Sequence, residues 1–545
     1  MAEHTIPGGA AGTPVIILKD GSTQSRGRDA QKNNLLASKL VVDIVKSSLG
    51  PRGRDKMLVD SLGDVTITND GATMLKELDV QHPAAKMLVE VSKTTDSEVG
   101  DGTTSAVVLA GSLLAKAEEL LDKDVHPTLI VDGYLRASEK ALELLDKISV
   151  KVSADDKDSL NKVAVTSMLT KLVADDSEEL ASLIVDALLE VATSDNGFSV
   201  DLDNVKVEKK AGGSIADTSL IKGLILDKEV VHSGMPKLVN NAKIAIVSSP
   251  LEIEKTEMSA EIRIDDPEQM KMFMDEENNI LSSMVDKVSS VGANVLVCQK
   301  GIDDVAQHYL AKAGIAAIRR AKESDMTKLA KATGGRIVNN IDDLASADLG
   351  KAKLVEERVV EEDKWVFVEG CKNPKAVSLL IRGGSQRVID EADRSVHDAI
   401  MVVKDVIESP AIVAGGGAPE FEISHKIREW ATSLSGREQL AVQQFADALE
   451  SIPLTLAENA GMDAIDAQVD LRNRHSEGKT WWGVDVNEGK VDDLFKKDII
   501  EPLKVKEQII KSATEAAAMI LRIDDVIASG KMKTPPMGGH GGEEM

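Results

Sequence analysis

The sequence predicts a multi-domain α+β protein in which helical segments from both ends of the chain enclose a mixed α/β module. Three observations predict it. The chain has 545 residues, and at about 150 residues per domain these divide into three or four cores. Apolar residues recur at helical spacing through the first and last thirds. Between them, short β-branched runs alternate with helical stretches.

Taken from the N-terminus, residues 1–14 are small and polar and read as disordered, and Val15-Ile16-Ile17-Leu18 reads as an edge strand. Asp29 to Leu49 places Leu35, Leu36, Leu40, Val41, Ile44 and Val45 at helical spacing, and Gly50-Pro51 stops that helix. Arg52 to Ile67 reads as a hairpin-like section, with Asn69-Asp70-Gly71 as a tight turn. Helices are predicted over Pro83–Val99, Ser105–Leu121 and Pro127–Ile148. Residues 150–200 read as helices separated by the polar loop Thr166-Ser167-Met168-Leu169-Thr170-Lys171.

From residue 202 the pattern changes. Val205/Val207, Leu224–Leu226, Ile244–Val247, Val295–Val297 and Ala316–Ile318 read as strands, with helices over Val305–Ala313 and Met326–Thr333. Residues 251–285 are charged, methionine-rich and helical. A strand at Val377–Ile381 leads to a helix over Val388–Ile407, then Gly415-Gly416-Gly417, and residues 418–470 read as helical throughout. The glycine-rich tail from Gly530 is expected to be disordered.

Composition excludes several functions. A net charge of −26 and 2% aromatic residues argue against a nucleic-acid binder. Two cysteines, Cys298 and Cys371, exclude a disulfide framework and a Cys₄ zinc site, and fit a reducing compartment. No apolar run is long enough to span a membrane, and residues 1–13 lack a signal-peptide pattern, so a cytoplasmic location is expected.

The chemistry centres on Gly100-Asp101-Gly102-Thr103-Thr104-Ser105, a glycine-hinged turn opening onto a helix N-terminus. Unpaired amides and the positive end of the helix dipole suit an anion, usually phosphate. A carboxylate there, Asp101, makes sense if it holds a Mg²⁺ bridging phosphates. Read alone, the hexapeptide is also an ordinary turn with an N-cap. Gly415–Gly417 could admit a ribose or base by close approach. Asp398 should stand at the edge of its helix and, alone, reads as a solvated carboxylate beside Arg394. No Walker A loop or kinase set is present.

Longer motifs carry a resemblance. Leu49-Gly50-Pro51-Arg52-Gly53-Arg54-Asp55-Lys56-Met57-Leu58-Val59, Thr68-Asn69-Asp70-Gly71-Ala72-Thr73, His82-Pro83-Ala84-Ala85-Lys86 and Val99 to Ser105 match one family, in order. So do Gln299 to Asp304, Ser435-Gly436-Arg437-Glu438-Gln439 and Leu456-Ala457-Glu458-Asn459-Ala460-Gly461. The chain resembles the group II chaperonins, the TCP-1/thermosome family, and within them an archaeal α-type member.

That resemblance implies an equatorial domain from residues 1–148 and 405–530, an intermediate domain from 149–214 and 368–404, and an apical domain from 215–367. A helical protrusion over about 252–277 would form a built-in lid, and 531–545 a flexible tail. It implies two stacked eight-membered rings, of self and a homologous β-type subunit, in which ATP hydrolysis drives closure around non-native polypeptides. It assigns Mg²⁺ to Asp101, phosphate contacts to Leu49, Gly50, Pro51, Gly102, Thr103, Thr104 and Ser105, and γ-phosphate sensing to Lys171. Asp398 becomes the water-activating aspartate and Asp70 a second acid near the γ-phosphate. Gly416 takes the ribose and base, and Asp485 and Glu501 close the nucleoside end. The loop before Lys171 departs from the family's usual small-residue loop. Whether K⁺ assists the phosphates stays open. Two rival readings are an ATP-independent holdase ring and a small-molecule enzyme with an inserted domain. The presence of both Asp101 and Asp398 argues against the first, and ring assembly would argue against the second.

Overall fold

The computed structural model describes residues 23–60, 63–78, 80–194, 197–253, 267–372 and 374–528. Two large hydrophobic cores organise them. The first draws its buried residues from 35–205 and again from 377–521, so both halves of the chain build it. The second lies wholly between Leu224 and Ala376.

At the centre of the first core is the helix Thr103–Leu121. Ala106, Val107, Val108, Leu109, Ala110, Leu113, Leu114, Ala117 and Leu120 are all buried along it. A helix apolar on most of its circumference must be covered on every side. The helices Gly27–Lys46, Pro83–Val99, Gly436–Leu449 and Leu503–Leu521 cover it. Gly111 lets Val42 pack directly on its backbone, where a Cβ would collide. Tyr134 donates its hydroxyl to the Leu113 carbonyl at 2.9 Å and meets Phe445 edge-on, so its one polar atom is satisfied inside the core.

The second core surrounds a seven-stranded mixed sheet. Ala316–Ile318, Val295–Cys298 and Leu238–Val247 run parallel, and Ile337–Val338 pairs parallel with the end of the last. The antiparallel hairpin Gly350–Val360/Asp363–Glu369 and the strand Gly223–Leu226 extend the sheet. Between the cores, Val205–Ala211, Val377–Gly383 and Ser219–Ile221 form a three-stranded sheet. From it the helix Gln386–Glu408 runs back into the first core.

Most predicted elements are present. Pro83–Val99 and Pro127–Ile148 have the predicted bounds, because each opens with proline at its first position behind a histidine cap. The last third is less helical than predicted. Residues 418–476 form four helices, but Trp482–Asp485/Lys490–Asp493 is a hairpin and Ile500–Pro502 a strand. Asn69-Asp70-Gly71 is not a hairpin turn. Asp70 caps the helix Gly71–Glu77, its Oδ2 accepting the Thr73 amide at 2.7 Å. The expected strand at Val15–Leu18 and the tail lie outside the described residues, as do residues 254–266 of the expected protrusion. The helix Pro267–Ser290 takes in residues 267–277 of that range, with Met270, Met272, Phe273 and Met274 exposed. No helix of the described residues is long and apolar enough to cross a membrane.

Candidate active site

About 1130 Å³ of open space lies where the ends of several elements meet in the first core. The cleft is lined by Leu49, Gly50 and Pro51 after the first helix, by Asp70, by Asp101 to Ser105, by Lys171 and Asp398, and by Gly416 and Glu501. Of the residues to which the resemblance assigned a role, only Asp485 is not in its lining, and of Gly415–Gly417 only Gly416 and Gly417 line it.

Its floor is an anion cradle. Gly100 and Gly102 both hold left-handed backbone, at φ 70° and 76°. Their lack of a Cβ is needed for space as well. On Gly102 a Cβ would stand 2.6 Å from Ile509 Cδ1, and on Gly100 it would run into Met401. The first turn of the helix Thr103–Leu121 begins with Ala106 N donating to Gly102 O at 2.9 Å. The amides of Thr103, Thr104 and Ser105 therefore have no acceptor within the helix. A second N-terminus opens nearby, that of Ala418–Ala431, behind left-handed Gly416 and Gly417. Asp70 couples two helix starts, capping its own helix and accepting the Thr103 hydroxyl at 3.4 Å.

Asp398 enters on the helix Gln386–Glu408 and is 5% exposed, so it is not the solvated carboxylate that periodicity suggested. Arg394 pairs with Glu391 at 2.5 Å. Asp398 instead forms an ion pair with Lys171, and both side chains are almost fully buried. Helical structure runs through Met168, so the predicted loop is only Leu169 onwards, and Lys171 N donates to Met168 O at 3.0 Å. Asn69 Nδ2 donates to the Thr170 carbonyl at 2.5 Å, which ties this turn to the one carrying Asp70. A Cβ on Gly100 would sit 3.8 Å from Asp398 Cα, so the helix of Asp398 lies directly against the cradle.

Glu501 also lines the cleft. Lys506 Nζ lies 2.7 Å from Glu501 and 2.9 Å from Glu420. Burial pushes the Glu501 carboxyl up, Lys506 opposes it, and Glu420 and Asp101 add to the rise. Burial works against the Lys506 charge, but Glu420 and Glu501 outweigh it and hold the ammonium on. Asp485 serves the neighbouring hairpin. Its carboxylate accepts the Asn487 and Glu488 amides at 2.9 and 3.1 Å and holds Lys497 at 2.6 Å. Burial would raise its carboxyl, but Lys497 and those amides bring it below the usual range. Its neighbours Val484, Val486 and Asn487 line the cleft instead.

Sequence reasoning missed three contributors. Lys506 and Glu420 carried no local signal. Asn459 lay inside a quoted motif, and its amide donates to the Lys46 and Leu49 carbonyls at 3.0 and 2.9 Å, holding the loop before Gly50.

The donor set suits a polyanion with a hard cation. Asp70, Asp101, Asp398 and Glu501 line the cleft, and both lining lysines, Lys171 and Lys506, already face carboxylates. A polyphosphate would need further positive charge, and Asp101, whose Oδ1 accepts the Gly102 amide at 2.6 Å, offers an oxygen ligand of the kind Mg²⁺ takes.

Residues 41–531 match the TCP-1/cpn60 chaperonin family. The chain is 57% identical over 536 residues to the thermosome subunit alpha of Archaeoglobus fulgidus, covering 98% of both proteins. It is 56% identical over 533 residues to a thermosome subunit of Pyrococcus abyssi, covering 98% of this chain and 97% of that protein. The thermosome subunit beta of Archaeoglobus fulgidus is 55% identical over 533 residues, covering 97% of this chain and 98% of that protein. With matches running nearly end to end, the chain belongs to the TCP-1/cpn60 chaperonin family.

Proposed function

We propose that this chaperonin subunit is an ATP hydrolase whose turnover closes a double-ring cage with a built-in lid around non-native proteins. The observation that carries the reading is the meeting of an anion cradle with a buried aspartate brought by a helix from outside it. Hydrolysis of a phosphoanhydride needs charge neutralisation, in-line geometry and a positioned water. The free amides of Thr103, Thr104 and Ser105 would bind phosphate oxygens, and the Leu49–Pro51 loop would bound them. Gly416 would face the ribose and base, with Glu501 closing that end. Mg²⁺ held by Asp101 would supply neutralising charge on the phosphates, and K⁺ could supply more.

The Lys171–Asp398 pair supports a switch. A γ-phosphate would offer Lys171 a more highly charged partner than one carboxylate. Asp398, released, would orient the attacking water and accept its proton, with Asp70 beside it. Asp398 belongs to the segment assigned to the intermediate domain (149–214 and 368–404), while the cradle belongs to the equatorial domain (1–148 and 405–530). Closing that hinge would complete the site, and the motion would pass to the apical domain (215–367). The alpha and beta subunit names of the relatives support a β-type partner; two rings of eight subunits and a cytoplasmic location are part of the same proposal.

The test is ATP hydrolysis by the assembled protein, wild type beside Asp398→Ala, with nucleotide binding measured in parallel. Turnover should fall by roughly 10²-fold or more while MgATP still binds. Unchanged turnover would remove Asp398 from the chemistry and the hinge coupling with it.

A further inference from the structure

Seven residues beyond Asp398, the same helix carries a second buried acid for which the reaction has no use. Asp405 is 0% exposed. Its Oδ1 takes the Lys504 ammonium at 2.6 Å, and its Oδ2 is buried without a hydrogen-bond partner. It sits in the last turn of Gln386–Glu408, where the helix carbonyls already make the potential negative. For stability alone this is a poor choice, because a fully buried carboxylate gives up its hydration for one partly exposed ammonium.

Its position connects two parts of the cleft. Lys504 is the second residue of the helix Leu503–Leu521. Just after it, Val505 and Ile509 pack under Gly102 of the cradle, and Lys506 holds Glu501. The Asp405–Lys504 contact therefore ties the helix that delivers Asp398 to the helix that supports the cradle.

We propose that Asp405 is a positioning residue for hydrolysis: through Lys504 it clamps the helix of Asp398 to the helix under the cradle, and loss of its charge releases the clamp. This rests on the ATPase reading above. Burial pushes the Asp405 carboxyl up to about 6, Lys504 and Lys404 pull against that, and Glu408 adds to it. The charged groups facing it are thus Lys504 from the helix under the cradle and Lys404 and Glu408 from its own helix. Because the folded protein binds this proton more tightly than the unfolded chain, the fold loses stability as pH rises from the ordinary 3.8 to about 6, and the cost is complete above that. An uncharged residue here should therefore stabilise the fold while weakening the clamp, an opposition that simple structural support would not produce.

The experiment uses the assembled full chain with Asp405→Asn and Lys504→Met. Turnover at saturating MgATP is followed from about pH 5 to pH 8, with nucleotide affinity and Tm measured alongside. Wild-type turnover should drop severalfold towards acid with a midpoint near 6. Asp405→Asn should turn over severalfold more slowly at the alkaline end, lose that step, keep its nucleotide affinity and match or exceed the wild-type Tm. Lys504→Met removes the other half of the contact, so it too should turn over severalfold more slowly at the alkaline end and lose the step. An Asn variant with wild-type rate and profile would overturn the proposal. So would one that loses Tm, affinity and turnover together. Should the Asn variant fail to assemble, a Lys504→Met variant that keeps the wild-type rate and profile would overturn it. A wild-type chain that does not hydrolyse ATP would sink the ATPase reading itself, and the clamp with it.

Discussion

Gly71→Ala isolates one donor of the cradle. Gly71 begins the helix Gly71–Glu77, is buried, and has ordinary backbone angles that alanine tolerates. The new methyl would stand 2.9 Å from Thr104 N, 2.5 Å from Thr104 Oγ1 and 3.1 Å from Thr103 Oγ1. The hydroxyls can rotate away, but the amide is fixed by the helix. Alanine therefore crowds one of the three amides left without a helical acceptor. A hydrogen bond to a charged group is worth about 1.5–3 kcal/mol, so nucleotide affinity should weaken by roughly 10- to 150-fold. The fold should lose no more than about 3 kcal/mol. Alanine is better in a helix by up to ~1 kcal/mol, while overpacking costs about 1–3 kcal/mol. Calorimetric titration with MgATP, beside thermal unfolding, reads both. A folded variant binding within about twofold of wild type would mean that the Thr104 amide is not a phosphate donor, and the cradle would lose its role.

Two further outcomes are expected from the same geometry. Asn459→Ala removes two hydrogen bonds to the carbonyls of Lys46 and Leu49. It should cost about 2 kcal/mol in denaturant unfolding and also weaken nucleotide binding by loosening the Gly50–Pro51 loop; a stability loss with unaltered affinity would confine Asn459 to the fold. Glu450 is buried and meets Arg428 at 2.6 Å, Gln468 at 2.5 Å and Arg472 at 3.1 Å. Burial raises its carboxyl, but Arg428, Gln468 and Arg472 prevail and bring it below its ordinary 4.5. Its stabilisation is therefore complete above that value and is lost as pH falls through the lower folded one. Glu450→Gln should cost about 3 kcal/mol near neutrality, and the gap to wild type should close in acid; a gap independent of pH in thermal unfolding would contradict the pairing.

The sequence by itself determined the elements whose signals are local. Pro83 and Pro127 at helix starts and left-handed Gly100 at a helix end mark boundaries because each acts on its own backbone. The cradle was legible for the same reason, since Gly100 to Ser105 carry both the turn and the donors in one stretch. The change from helical to mixed α/β character was legible from the change of hydrophobic period near residue 202. Asn69-Asp70-Gly71 shows the limit of local signals. The same residues suit a hairpin turn and a helix cap, and the Thr103 hydroxyl that Asp70 also accepts comes from a distant segment packed beside it.

Only the tertiary structure decided the charges. Asp398 and Lys171 are 227 positions apart, and no period or motif links them. Helical spacing placed Asp398 off the apolar stripe, which would expose it on a helix covered on one side. The helix Gln386–Glu408 is covered on several, by Lys157–Met168, Ser177–Val191 and Leu503–Leu521, so carboxylates off the stripe are buried too. Asp405 with Lys504, and Glu420 with Lys506, arise in the same way. Burial and ion pairing depend on which distant segments share a volume, and a carboxylate's charge depends on that volume far more than on its neighbours in the chain.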